Sequence, residues 1–363
     1  MRIEQHPSEQ LKKDWISTID SYAAAAESAG QLQALPLQLA YEQRWFTMLV
    51  PKQYGGLELA LPAVVRLEEA IAWADGCMGW VVTLCAGAGW FGGFMLPSLA
   101  TAVFKNAEAC LAGSGAATGT AEIIPGGYRV SGRWMHASGA PHNTVFTANC
   151  VLTQNGVALT DEAGEVFIKP FAFFRNEVTL ISTWNSFGLI ATASHAFEIN
   201  ALVVPEERAF SLQEGAALID APLYRYPFLQ LAEITLAANI CGMAIRFLDV
   251  AAAAVSFRKT TEQPVLKQAI QTAIADLQSI RQQFYSTVDA SWQQLEASAI
   301  IDPDTLQQLS IHARALAKQS RVSVEAVYPY CGLEAAAKDS VLNRVWRDLH
   351  TASQHSLLVF PRN

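Results

Sequence analysis

The chain has 363 residues, 51% hydrophobic and only 16% charged, and its 25 Lys and Arg against 33 Asp and Glu give a formal charge of −8. A charge fraction below the roughly 25% usual for globular domains, with an acidic balance, excludes a disordered chain, a coiled coil and a nucleic-acid surface built on bulk positive charge. At about 150 residues per domain the length implies two or three domains, and so little charge on so long a chain points to apolar surface covered by a second subunit.

From Pro7 to about Ala107 the pattern is helical. Leu11, Trp15, Ile19 and Tyr22 recur at spacings of four, four and three and mark one face of an opening helix. A loop with Pro51-Lys52-Gln53-Tyr54-Gly55-Gly56 follows, and helical periodicity resumes from Leu61 to about Leu84, with Pro62 near a helix start. The uncharged run Gly79–Leu96 just reaches the length of a membrane span. Its glycines and missing Lys/Arg flanks favour a buried helix, and no membrane association is expected. Gly87-Ala88-Gly89-Trp90-Phe91-Gly92 spells GxGxxG, but no second strand ending in an acidic residue follows. These glycines are read as close helix packing.

From about Cys110 to Phe210 the texture changes to strands: Tyr128–Trp134, Val145–Leu152, Val166–Phe174 and His195–Val204, separated by turn signals at Gly126-Gly127, Asn155-Gly156 and Ala163-Gly164. This predicts an antiparallel β domain. From about Ala221 the chain returns to helix over roughly 229–260, 265–297, 303–329 and 338–358, with Pro264 and Pro303 at helix starts. Four long helices on short turns read as a bundle. The predicted organisation is α+β: an N-terminal helical domain (1–108), a β domain (109–215) and a C-terminal four-helix bundle (216–363). Six widely spaced cysteines without metal-ligand spacing are read as small core residues of a reduced, cytoplasmic protein, and no metal site is expected. The N-terminus, MRIEQHPSEQLKKDW, lacks the apolar region of a signal peptide.

Several local sequences resemble the acyl-CoA dehydrogenase superfamily. Val50-Pro51-Lys52-Gln53-Tyr54-Gly55-Gly56 is similar to its VPxxYGG signature. Gly188-Leu189-Ile190-Ala191-Thr192-Ala193-Ser194, followed by Val204-Pro205-Glu206-Glu207-Arg208, resembles GLRxTxS…VPEER, with Ile190 where Arg is usual and Ala193 where Gly is usual. Arg347-Asp348 is present, but the eighth residue after Asp348 is Ser356, where a typical dehydrogenase carries its glutamate base. Instead Trp346-Arg347-Asp348-Leu349-His350-Thr351-Ala352-Ser353-Gln354-His355 resembles the WRDxxAAxxH stretch of the reduced-flavin-dependent two-component monooxygenases. Ser131-Gly132-Arg133-Trp134-Met135-His136-Ala137-Ser138-Gly139-Ala140-Pro141-His142 resembles their SGxWxxxSGxxH.

The resemblance implies a reduced flavin, FMN or FAD, held between the β domain and the bundle. It also implies a separate flavin reductase, O2, a hydrophobic or aromatic small-molecule substrate, and a homotetramer or homodimer. Ser138 is the candidate for the flavin N5 contact, against a plain turn serine before Gly139. His355 is the candidate acid/base, against a helix C-terminal histidine favoured by the dipole. His350, five residues earlier, would sit about 140° away on one helix and not share a pocket with it. Trp134 and Trp184 are candidates to flank the flavin, against ordinary core aromatics of the β domain, Thr192 and Ser194 to contact it, and Arg258 to hold its phosphates, although the usual QFG after that arginine is missing. His142 either points into the substrate cavity or caps a loop. Arg347 and Asp348 are read as an ion pair fixing the last helix. Two other readings stand beside the oxygenase: a true acyl-CoA dehydrogenase or flavin oxidase with its base elsewhere in the bundle, and a non-catalytic relative serving as a binding module.

Overall fold

Apolar residues every three or four positions build the first helical segment: α1 (Lys13–Ala29), α2 (Ala34–Glu42), α3 (Leu61–Ala74), α4 (Gly76–Gly89) and α5 (Pro97–Phe104). The computed structural model describes residues 3–360. Asp75 ends α3 and opens α4, its carboxylate accepting from the Met78 N–H at 2.8 Å. A Cβ on Gly79 would come within 2.5 Å of that of Ala72, so glycine here lets α3 and α4 close against each other. α4 is buried almost end to end inside the protein.

The central segment forms β1 (Leu111–Ile124), β2 (Gly127–Ala137), β3 (Val145–Gln154), β4 (Val157–Ala158), β5 (Ile168–Phe174), β6 (Thr179–Ile181) and β7 (His195–Pro205). They lie in the order β4-β3-β1-β2-β7-β6, with β5 also paired to β3. The sheet is mixed where the sequence predicts an antiparallel one: β1 and β3 run parallel, with Leu111 opposite Val145. β1 itself is absent from the predicted strands because its Gly/Ala-rich sequence has little β-propensity. Packing overrides that preference. A Cβ on Gly113 would fall 2.1 Å from Thr147 Oγ1, and one on Gly119 would fall 2.0 Å from the Trp134 ring.

The C-terminal segment runs through α6 (Pro222–Arg225), α7 (Phe228–Ala254), α8 (Gln263–Ser298), α9 (Pro303–Val327), α10 (Leu333–Ala336), α11 (Val341–Ala352) and α12 (Ser356–Val359). The three long helices fall close to their predicted spans. The fourth does not: its helix begins only at Val341 and is interrupted at Ser353–His355. Among the described residues α7 is the helix long and apolar enough to cross a membrane, and 78% of its most apolar window is buried in the protein.

These segments build two hydrophobic cores. One belongs to the sheet and centres on Trp134, Phe146, Phe171, Phe173 and Phe197. The other joins the helices from both ends of the chain. Gly242 of α7 packs where a Cβ would lie 2.2 Å from the Glu69 carbonyl of α3. The buried pair Arg281–Glu69 and the pair Arg66–Asp289 add polar ties between the same two regions. The seam between the helical core and the sheet is where a cavity opens. All six cysteines are free and buried.

Candidate active site

The cavity has a volume of about 240 Å³ and lies between α4, the start of β1, β3, α7 and the segment around His355. Small residues make room for it. Ala112, Gly113, Ser114 and Gly115 of β1 form one side, and a Cβ on Gly87 or Gly115 would meet no heavy atom within 4 Å. Gly87 of the GxGxxG run therefore opens space, whereas Gly89 and Gly92 serve close packing against Val50 and Phe104. Leu84, Phe91, Leu212, Phe228, Leu231 and Leu236 supply apolar walls. The polar lining is neutral: Thr83, Ser114, Ser138, Thr147, Asn149 and Thr235. His355 is the single ionisable side chain among the described lining residues, and none of them is acidic.

Ser138 follows the irregular end of β2, where pairing with β7 shifts register between Trp134 and Ala137 and His136 adopts φ +66°. Its carbonyl accepts from Asn143 Nδ2 at 3.1 Å, and the Gly139 N–H donates to the Thr192 carbonyl at 2.7 Å. Asn143 is held in turn by the thiols of Cys110 and Cys85, whose Sγ atoms lie 3.1 and 3.6 Å from its Oδ1. Burial pushes the Cys110 thiol well above its ordinary range, so it remains a neutral donor.

Behind Ser138 stands a row of buried hydroxyls. Ser138 Oγ lies 2.9 Å from Ser194 Oγ, which lies 2.7 Å from Thr192 Oγ1, which donates to the Leu189 carbonyl at 2.8 Å. The Trp184 indole N–H reaches that carbonyl too, at 2.9 Å. Four sequence-predicted residues, Ser138, Trp184, Thr192 and Ser194, are thus gathered into one network. The loop carrying it is docked on α11. A Cβ on Gly188 would fall 2.0 Å from the Arg347 carbonyl, and the Leu189 N–H donates to Asp348 Oδ1 at 2.5 Å. Burial, reinforced by nearby Asp75, raises the Asp348 carboxyl to about 7.

Arg347 and Asp348 do not form the expected ion pair with each other. Consecutive helix residues point about 100° apart, and Arg347 pairs with Glu27 of α1 at 2.5 Å while Asp348 holds Leu189. Both still fix the last long helix, to different segments.

His355 lines the cavity from an unexpected position. It is the N-cap of α12, with Nδ1 accepting from the Leu357 N–H at 3.4 Å, and its ring centroid lies 6.1 Å from that of Trp80. This geometry leaves the proton of the neutral ring on Nε2. His350 is on the preceding helix and bonds Glu325 at 2.6 Å, so the two histidines are separate, through a helix break and not through helical rotation alone.

Trp184, Thr192 and Ser194 stand behind Ser138 without lining the cavity themselves, and three further predicted residues lie elsewhere. Trp134 fills the sheet core, stacked on Phe197 at 5.2 Å, with its indole N–H on the Asn149 carbonyl at 2.9 Å. It does not line the cavity, because on β2 it faces the sheet interior. His142 lies in the turn after Gly139 and outside the lining; its Nε2 is buried with no hydrogen-bond partner among the described residues, and burial lowers its pKa. Asn143, its neighbour, is the residue that turns toward Ser138. Arg258 lies beyond the far end of α7 and donates to the Cys331 carbonyl. From Ala232 at the cavity to Ala254 the helix rises about 33 Å, which takes Arg258 out of reach of its own chain's cavity.

The carboxylate near the cavity end of α7, Glu233, is buried against α9, where it pairs with Ser310 and with Arg314 at 3.0 Å. It is not a base for this cavity. No group of His, Cys, Asp and Glu that could hold a metal occurs among the described residues. Thr83, Asn149 and Thr235 are lining residues absent from the predicted set; Thr235, a polar break in the apolar run of α7, is the one the sequence could have flagged.

Comparison with known proteins fits this geometry. Residues 234–360 match the family model described as acyl-CoA dehydrogenase, C-terminal domain. An indole-3-acetate monooxygenase of Pseudomonas putida is 26% identical over 320 residues, covering 86% of this chain and 80% of the relative. The oxygenase subunit HsaA of a flavin-dependent monooxygenase of Rhodococcus jostii is 25% identical, covering 94% and 92%. XiaF of Streptomyces, solved in complex with FADH2 and glycerol, has the same fold: its TM-score is 0.87 at 19% identity, covering 97% of this chain and 91% of that one.

Proposed function

We propose that the chain is the oxygenase component of a two-component flavin-dependent monooxygenase of the acyl-CoA dehydrogenase superfamily. It takes reduced flavin, FMN or FAD, from a separate reductase and hydroxylates an aromatic or other hydrophobic small molecule with O2. The observation that carries this reading is the cavity lining: apolar walls, hydroxyls and a single histidine, without a carboxylate. A dehydrogenase needs a carboxylate to remove a proton beside the thioester. A water-poor cavity with hydrogen-bonding hydroxyls suits oxygen chemistry instead.

The residues fit a flavin ring: bare backbone at Gly87 and Gly115 admits a flat ring, and Ser138, a lining residue, offers a hydroxyl for a ring nitrogen. When bound, the reduced flavin supplies the activation of oxygen. The chain excludes water with Leu84, Phe91, Phe228 and Leu231, holds the ring through Ser138, and places His355 to exchange a proton with the substrate's reacting hydroxyl. The protein works as a homotetramer or homodimer in the cytoplasm, in keeping with its low charge fraction and six free thiols.

The test mixes anaerobic protein with reduced FMN or FAD, then admits oxygen and candidate aromatic substrates. Slow reoxidation through an oxygen adduct, with hydroxylated product, is the expected result. Bleaching of bound oxidised flavin by an acyl-CoA would overturn the proposal in favour of a dehydrogenase, and absence of flavin binding in either redox state would favour a binding module.

A further inference from the structure

The row of hydroxyls behind Ser138 has a direction. A carbonyl oxygen only accepts, so the 2.8 Å contact between Thr192 Oγ1 and the Leu189 carbonyl contains the threonine proton. Thr192, with its proton spent, must accept from Ser194 at 2.7 Å, and Ser194, with its own spent, must accept from Ser138 at 2.9 Å. Ser138, which lines the cavity, then has no proton left for it and can only accept there. The reverse order would place two unprotonated oxygens 2.8 Å apart in a buried site, where nothing compensates their repulsion.

We infer that Thr192 is a positioning residue that fixes this order, making Ser138 a hydrogen-bond acceptor that selects a flavin carrying hydrogen on N5, the reduced form, over the oxidised form, whose N5 is itself an acceptor. The inference rests on the flavin reading above and adds to it the residue that sets redox preference from outside the cavity. Thr192 is fully buried and does not line the cavity.

Equilibrium affinities of the whole protein for reduced and oxidised FMN and FAD test this without turnover. The unmodified protein is expected to prefer the reduced form. Thr192→Val removes the anchoring proton while leaving the Leu189 carbonyl to the Trp184 and Thr192 N–H donors at 2.9 and 3.2 Å. Ser194 and Ser138 can then reverse and donate, and the preference is expected to fall by about tenfold, roughly one hydrogen bond. Thr192→Ser keeps the hydroxyl and is expected to restore it, which separates proton order from packing. Equal binding of the two forms by the unmodified protein, or an unchanged ratio in Thr192→Val, overturns the inference while leaving the flavin reading in place. No binding of either form overturns both.

Discussion

The two sides of the cavity are built on different terms. Ser138 is held from β2, from the 189–194 loop, from Asn143 and through them from α11, so that a shift in any one segment is resisted by the others. His355 stands at the head of a four-residue helix, its Nδ1 accepting from the Leu357 N–H of that helix and its ring 6.1 Å from that of Trp80. The difference teaches where fixed geometry is needed: a ring nitrogen presents one invariant target, whereas a substrate hydroxyl must be met wherever the substrate places it. The wall assembled from several distant segments suits a constant cofactor, and the histidine at the start of a short helix a changeable substrate.

The sharpest way to separate the two sides is His355→Ala. Hydroxylation is expected to fall by about 100-fold, the low end for loss of an acid/base group, while reduced-flavin affinity stays within about twofold; a parallel loss of flavin affinity would show that the sides are not independent. Gly188→Ala attacks the other side by forcing a Cβ into the Arg347 carbonyl. It is expected to cost about 1–3 kcal/mol in urea unfolding and to weaken reduced-flavin binding several-fold, and an unperturbed midpoint would mean the loop is not held by α11.

Asp348 gives the same side a pH signature. Its carboxyl is raised to about 7 in the folded chain, so the unfolded chain loses that proton first. The stability it contributes is complete below about pH 4 and is lost as pH rises to about 7. Asp348→Asn keeps an acceptor for the Leu189 N–H without the ionisation, and its urea midpoint is expected to fall less steeply across that window than the unmodified protein's. The smallest effect is expected at Ala193, buried with φ +44°. Ala193→Gly relieves a left-handed alanine and is expected to raise stability by at most about 1 kcal/mol, measured by thermal unfolding.

Side chains made the hydroxyl wall legible; backbone atoms hid its anchor. Ser138, Thr192 and Ser194 stand out in the sequence because their motifs are made of side chains, but the Leu189 carbonyl and N–H that organise them leave no mark in residue identity. Trp134 stayed open between the flavin and the sheet core for a related reason: a tryptophan in a strand looks the same whichever face it occupies, and only the pairing of β2 assigns it to the sheet core. β1 is hidden by its glycines, which answer to Thr147 and Trp134 on other strands. The break that sets His355 at a helix start has no proline or glycine to announce it, since residues 352–356 read Ala-Ser-Gln-His-Ser.

The bond between Leu189 and Asp348 spans 159 residues of sequence. During synthesis the 189–194 loop therefore leaves the ribosome long before its clamp exists, and the loop docks only when α11 arrives. Loop closure over so large a separation is a late event in folding. Cofactor capture is thereby deferred to the nearly complete chain, and a ribosome-bound fragment that stops before residue 340 should be unable to sequester flavin.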